Sequence, residues 1–370
     1  MSERKICKLR DISIMRNGQK RPKGSGEYPV YGGNGIMEFS NSYNAENIIV
    51  VGRVGAYCGN VHRCKGKCWI SDNAISLYAN NFVDTDYLYY LLCSLNLNHQ
   101  HIGGAQPLIT QDIIGRFEIS LPSLEEQRSI VDMLIAIDRK IEVNKRINDN
   151  LEQQAQALYK SWFIDNYQTE WPEYSLDEVT LKITDGVHNT VIDTPNGEYY
   201  LLSCKNIKNR RLTMSSSDRR IDEGTFNKLR KRTMLSKGDI LLSSVGTIGE
   251  LMLLNEDPHN YEFQRSVAII KPNPVYISSY YLYETLISQI DKITNTAHGA
   301  VQQCIFLSDL KEYTINIADK ALISRYDIIV KPFFDEITKR EKEIARLTSL
   351  RDSLLPKLMS GELKINEIDC

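Results

Sequence analysis

The chain has 370 residues, 42% hydrophobic and 25% charged, with a formal net charge of −2. That length exceeds what one core needs and predicts two domains, or one domain with long helices. No apolar run reaches the roughly 18 residues of a membrane span, Met1-Ser2-Glu3-Arg4-Lys5 lacks the apolar block of a secretion signal, and eight cysteines lie without framework spacing; a reducing cytoplasm is expected.

Charge is unevenly spread. Residues 1–24 hold eight Lys/Arg against Glu3 and Asp11, and residues 205–237 hold eleven against Asp218, Asp222 and Glu223. Both stretches interleave Asn, Ser, Thr and Gln, whose side chains bond phosphate oxygens and base edges. One basic run is ordinarily a solvated face. Two runs in corresponding parts of two halves point toward nucleic acid.

In chain order, Ile49-Val50-Val51-Gly52-Arg53-Val54-Gly55 reads as a buried strand running into a glycine turn. Tyr87-Leu88-Tyr89 with Leu92 and Ser94 predicts a short helix with an aromatic face, and Gly103-Gly104-Ala105-Gln106 predicts a loop before Asp112. After Pro122, Ser123-Leu124-Glu125-Glu126 predicts a capping box, Ser123 and Glu126 each satisfying a backbone amide. Beyond it Ile130, Leu134, Ile137, Ile141, Asn144, Asn148, Leu151, Ala155, Leu158 and Trp162 form a heptad seam, with the two asparagines fixing register and partner. Roughly 40 residues at 1.5 Å each make a rod of about 60 Å. Pro172 marks the boundary after it.

The pattern then recurs at an offset of about 191–197 residues. Ile240-Leu241-Leu242-Ser243-Ser244-Val245-Gly246 matches the first strand and turn, Tyr281-Leu282-Tyr283 with Leu286 and Ser288 the short helix, and His298-Gly299-Ala300-Val301-Gln302-Gln303 the loop, here before Asp309. Asp138 matches Asp335. The common order predicts a tandem duplication. A second long helix follows from Phe333, Ile337, Ile344, Leu347, Leu354 and Leu358, stopped by Gly361, with Arg340 and Arg351 in its seam. Pro332 is expected in a first turn or at a kink. Two long apolar seams in one chain predict that the helices pair with each other.

Catalytic signatures are missing or out of context. The sequence contains no phosphate-binding G-x-x-x-x-G-K-[ST] loop, no H-E-x-x-H and no nucleophile elbow. Cys58, His62, Cys64 and Cys68 cluster without paired C-x-x-C knuckles, so a hairpin of reduced cysteines is expected and no metal. Tyr31-Gly32-Gly33-Asn34-Gly35 and Asn273-Pro274-Val275-Tyr276 imitate the cofactor turn and adenine loop of a stand-alone DNA adenine methyltransferase, the alternative reading. The second segment lacks the second proline, and no strand–helix alternation supplies a doubly wound sheet. A coiled-coil scaffold is the third possibility.

In sum these features resemble the specificity subunit of type I restriction–modification enzymes. Tyr28-Pro29-Val30-Tyr31-Gly32-Gly33-Asn34-Gly35 is similar to that family's Y-P-x-Y-G-x-N-G signature, Leu121-Pro122-Ser123-Leu124-Glu125-Glu126-Gln127 to its spacer opening, and Ala157-Leu158-Tyr159-Lys160-Ser161-Trp162-Phe163 to the spacer's end. Asp185-Gly186-Val187-His188 resembles the start of its second recognition domain, and Leu354-Leu355-Pro356-Lys357-Leu358-Met359-Ser360-Gly361 its terminal motif. Asp319-Lys320-Ala321-Leu322 departs from the spacer opening.

The resemblance implies an α+β fold: two tandem mixed α/β target-recognition domains (1–121 and 169–318), each followed by a long helix (122–168 and 319–370), the two helices pairing as an antiparallel coiled coil. It implies a non-catalytic, cytoplasmic DNA-recognition subunit that partners double-stranded DNA, two modification subunits and motor–nuclease subunits. Each recognition domain would read one half of a bipartite target, while the helices set the gap and dock the modification subunits. No cofactor is expected in this chain; S-adenosylmethionine, ATP and Mg belong to the partners. Lys20, Arg21, Lys23, Arg210, Arg211, Arg230, Lys231 and Arg232 are the phosphate-grip candidates. Asn34, Arg53, Asn73, Gln106, His188, Asn206, Gln264, Arg265, Gln302 and Gln303, beside glycine turns or strand ends, are the base-reading candidates.

Overall fold

Side-chain alternation along Ala45–Gly52 organises the first half of the chain. Ile49 and Val51 face one layer, Ile48 and Val50 the other, and all four are fully buried. A strand buried on both faces belongs at the centre of a sheet. In the computed structural model, which describes residues 4–103, 106–215, 217–299 and 303–365, β1 (Ser13–Asn17), β2 (Tyr28–Gly32), β3 (Gly35–Ser40), β4 (Ala45–Gly52), β5 (Val61–Ile70) and β6 (Ala74–Ala79) form one sheet ordered β1-β6-β4-β5-β2-β3. Pairing is antiparallel except between β2 and β5. Helix α1 (Thr85–Ser94) starts where Asp84 accepts the amides of Asp86 and Tyr87, and lays Tyr87, Leu88, Leu91 and Leu92 on the Ile49/Val51 face.

The first long helix, α2 (Leu124–Tyr159), ends in a π-helical turn at Lys160–Ile164. The second half then repeats the plan. Strands β7 (Thr180–Asp185), β8 (Ile240–Ser243), β9 (Leu251–Leu253) and β10 (Val267–Pro272) are ordered β7-β10-β8-β9, the same path as β1-β6-β4-β5. Between β7 and β8 the chain inserts the strands Tyr199–Leu202 and Arg220–Ile221, a hairpin of Ile207–Lys208 with Arg211–Leu212, and helix α3 (Glu223–Thr233). Helix α4 (Ser279–Ser288), capped by Ser278, repeats α1 and packs Tyr281, Leu282 and Leu286 on the face of Ile240 and Leu242. The second long helix is α5 (Lys320–Ser360).

Contacts divide the chain into residues 1–143 with 343–370 and residues 144–342, so that both long helices are shared between two compact units. Within the first unit, Arg351 Nη1 donates to Asp138 Oδ1 at 2.9 Å and Lys140 lies 3.7 Å from Glu343, an antiparallel register. Ile130, Leu134 and Leu358 belong to the same core as α1, with Leu354 packed against it. Ile141 and Leu347 are buried, while Ile137 and Ile344 are partly covered. Within the second unit, Tyr326 Oη donates to the Ala155 carbonyl at 3.1 Å and Arg340 to Asn144 Oδ1 at 2.9 Å, again antiparallel. Here the seam is more aromatic than a heptad predicts: Leu151, Leu158, Trp162 and Ile337 pack with Tyr159, Phe163, Tyr281 and Tyr326.

Three local expectations need correction. The capping box is half-made: Glu126 N donates to Ser123 Oγ at 3.3 Å, but the Glu126 carboxylate pairs with Arg4 at 2.5 Å. Arg4 also donates to the Met359 and Leu358 carbonyls, so one guanidinium holds the start of α2 and the end of α5. Pro332 does not sit in a first turn: α5 begins twelve residues before it and continues beyond it. Cys64 and Cys68 are joined as a disulfide rather than reduced; the irregular register of β5 with Gly66 at φ +85° brings their Cα atoms to 6.8 Å. Among the described residues no helix is long and apolar enough to cross a membrane, and no group of three or more His, Cys, Asp or Glu could hold a metal.

Candidate nucleic-acid interface

The glycine turns of the two units are built by the same backbone bonds. Arg53 N donates to the Asn73 carbonyl at 2.8 Å, Ile109 N to the Arg53 carbonyl at 2.9 Å and Gly55 N to the Pro107 carbonyl at 3.0 Å. In the second unit Ser244 N donates to the Ser266 carbonyl at 2.9 Å, Ile305 N to the Ser244 carbonyl at 2.9 Å and Gly246 N to the Gln303 carbonyl at 3.4 Å. The bridges Ile102↔Leu108 and His298↔Cys304 close a hairpin over each turn. The duplication therefore holds at the level of individual hydrogen bonds.

It also holds where sequence comparison missed it. Gln19 bridges Ser71 and Val187 bridges Gln264, in parallel sense, and a Cβ on Gly18 or Gly186 would fall 1.9 Å from the carbonyl oxygen of Ser71 or Phe263. Only glycine permits that approach. Asn17-Gly18-Gln19-Lys20 is thus the counterpart of Asp185-Gly186-Val187-His188, at an offset of 168 rather than 191–197 because of the insertion between β7 and β8.

These bonds gather several of the base-reading candidates. In the first unit Arg53 and Asn73 are bonded neighbours, Gln106 sits exposed on the hairpin, and Lys20 is exposed one residue beyond Gln19. Asn34 is exposed at the β2–β3 turn, where His62 Nε2 lies 3.2 Å from the Gly33 carbonyl and Gly33 packs on Gly52. In the second unit Gln264 and exposed Arg265 join Gln303 and His188. His188 Nε2 lies 2.6 Å from Asp185 Oδ2, and Arg232 donates to the same carboxylate at 2.9 Å and to the Gly186 carbonyl at 2.8 Å. Gln302 lies outside the described residues.

Other candidates are committed elsewhere. Asn206 is buried: its amide nitrogen donates to the Thr213 carbonyl and Asp218 Oδ2, and its oxygen accepts from Ser203 N, so it closes a turn. Arg230 pairs with fully buried Glu262 and donates to the Pro258 and Tyr261 carbonyls. Arg210 and Arg211 face Glu152 of α2, and Arg211 also Glu341 of α5. Of the basic set, Lys20, Lys23 and Lys231 are exposed, and Arg21 pairs with Glu38 at 3.3 Å on the surface. Charge counting could not separate these groups, because the buried carboxylates that claim four of the arginines (Arg210, Arg211, Arg230 and Arg232) are distant in sequence. A cleft of about 640 Å³ beside Lys271, Asp239 and Asp327 shares no residue with these turns.

The comparisons with known proteins agree. Residues 1–153 match the family described as the type I restriction modification DNA specificity domain. That match covers the first two-fifths of the chain. The chain is similar over most of its length to type I specificity subunits. It is 27% identical over 308 residues to the type I restriction enzyme MjaIX specificity subunit of Methanocaldococcus jannaschii, covering 77% of this chain and 71% of that one. Over 140 residues it is 32% identical to the EcoprrI specificity subunit of Escherichia coli, 35% of each chain. A type I restriction–modification S subunit from M. genitalium shares the fold, with TM-score 0.59, 17% identity and 97% and 96% of the two chains covered. These relatives are all named specificity subunits, and nothing in the comparisons favours the methyltransferase alternative. The two segments that suggested it are, in the first unit, the tight β2–β3 turn and, in the second, a turn in which Asn273 Oδ1 accepts Val275 N.

Proposed function

We propose that the chain is a specificity subunit and that each of its units reads one half of a bipartite DNA target through the turns at Lys20, Asn34, Arg53, Asn73 and Gln106 in the first, and His188, Gln264, Arg265 and Gln303 in the second. One observation carries the reading: the same backbone bonds present different side chains, Arg53 where the second unit has Ser244, Asn73 where it has Ser266 and Lys20 where it has His188. A fixed scaffold with exchanged donors suits two unlike half-sites. The long helices act as the spacer and docking face for two modification subunits, which supply S-adenosylmethionine chemistry; a motor–nuclease subunit supplies ATP- and Mg-dependent cleavage. The complex works in the cytoplasm.

Mapping adenine methylation across the source genome, with and without this gene, tests the reading. Loss at one motif of two short blocks with a fixed gap is the expected result. Loss at a continuous short motif, or no loss, overturns it.

A further inference from the structure

In the second unit one arginine touches both long helices at once. Arg211 stands on the inserted hairpin, whose turn residues Asn209 and Arg210 take φ of +50° and +64°. Non-glycine residues adopt that conformation in two-residue hairpin turns at some cost, so a contact must hold it. Here Asn209 N donates to Glu250 Oε2 at 3.0 Å, and Arg210 lies 3.5 Å from Glu152 Oε2. Arg211 then offers one guanidinium edge to Glu152 on α2 and its Nε to Glu341 Oε1 on α5 at 2.5 Å. Next to Glu341, Arg340 bonds Asn144 of α2, so the helices are also joined to each other at this level.

The first unit has the same device with the charges reversed. Asp138 on α2 accepts Tyr90 Oη from α1 at 2.5 Å and Arg351 Nη1 from α5 at 2.9 Å. In each unit, then, one ionised group is shared by the recognition domain and both helices.

We propose that Arg211 is a positioning residue that locks the second recognition domain in register on α2 and α5, and thereby fixes the number of base pairs the complex accepts between its two half-sites. The inference rests on the reading of this chain as a two-half-site subunit. Adding one base pair to the gap moves a half-site by about 3.4 Å along DNA. Slipping one helix by a residue moves it by about 1.5 Å. A charge-assisted bond near 2.7–2.9 Å is lost under either displacement, and a planar fork bonded to two helices yields to neither separately.

The test uses the subunit assembled with its modification subunits, on duplexes carrying both half-sites at the native gap and at one base pair more or less. E341Q keeps Arg211 on Glu152 and removes only the second ionic contact; R211M removes both. Both variants are expected to raise methylation of the altered-gap duplexes, relative to the native gap, by about tenfold, the factor that 1.4 kcal/mol of lost discrimination gives. R211K, a point charge without a fork, is expected to restore discrimination only in part. The half-site sequences stay unchanged. Gap discrimination equal to wild type in E341Q, or an equal loss at all three gaps in both variants, overturns the proposal. A wild-type complex without a fixed gap overturns the two-half-site reading itself.

Discussion

Arg351 Nη1 lies 2.9 Å from Asp138 Oδ1, joining two residues that are 213 positions apart in the chain. Asp138 also accepts the Tyr90 hydroxyl at 2.5 Å, so a single carboxylate ties α1, α2 and α5. Both partners of the ion pair are about one-third exposed. Asp138→Asn weakens both bonds without changing shape and should cost about 1–2 kcal/mol, read as a lower urea midpoint with the slope unchanged. No shift in the midpoint would mean that apolar contacts alone hold this junction.

Arginines that look alike in sequence should behave in opposite ways. Arg230→Met strands the fully buried Glu262 carboxylate and should cost about 3–5 kcal/mol in stability. Lys20→Ala and Lys23→Ala should leave the melting temperature alone. In the assembled complex each should reduce the slope of log affinity against log salt by about 1. A stable Arg230→Met protein with a reduced salt slope would reverse the assignment.

Arg53 is the strongest base-reading candidate of the first unit, since its backbone is pinned on both sides and, among the described residues, its guanidinium has one hydrogen bond, a 3.5 Å contact to the Asp72 carbonyl. Replacing it by Ser, the residue at its counterpart, should relax one position of one half-site by about 1–3 kcal/mol and leave the other half-site intact. Methylated-motif sequencing distinguishes this from a uniform loss across both.

Burial raises the Glu284 carboxyl from 4.5 to about 8, with Arg210 working against the shift and Glu152 adding to it. Glu341 is raised to about 7, also chiefly by burial. The native state holds these protons more tightly than the unfolded chain. Stability is therefore full below the ordinary carboxylate range and declines as pH climbs toward 7–8. Glu284→Gln should flatten that decline, with its largest gain in melting temperature above pH 8 and little change near pH 5. Equal gains at both pH values would exclude a protonated native carboxyl.

The duplication, the two long helices and the two short helices were legible because each rests on a local pattern: apolar runs into glycine turns at β4 and β8, aromatic faces at Tyr87–Tyr89 and Tyr281–Tyr283, and apolar seams. The turns that carry the base-reading candidates were partly legible, since Gly55, Gly103 and Gly186 mark where backbone must come close or turn back. What sequence could not supply was the destination of a charge. Asn206 and Arg230 have the composition of a DNA-binding surface and the environment of a core. The Asn17–Lys20 counterpart of the D-G-x-H motif was hidden by a change of offset, since insertions displace register without disturbing the bonds.

Because the first unit is completed by residues 343–370, its assembly has a timetable. A ribosome adds about 5–20 residues per second. Between making Val143 and making Glu343 it runs for about 10–40 s, during which Ile130 and Leu134 lack the Leu358 side of their core. The second unit, residues 144–342, is contiguous and can close in that interval. A stop codon just before Leu354 would therefore damage the domain translated first and spare the one translated last.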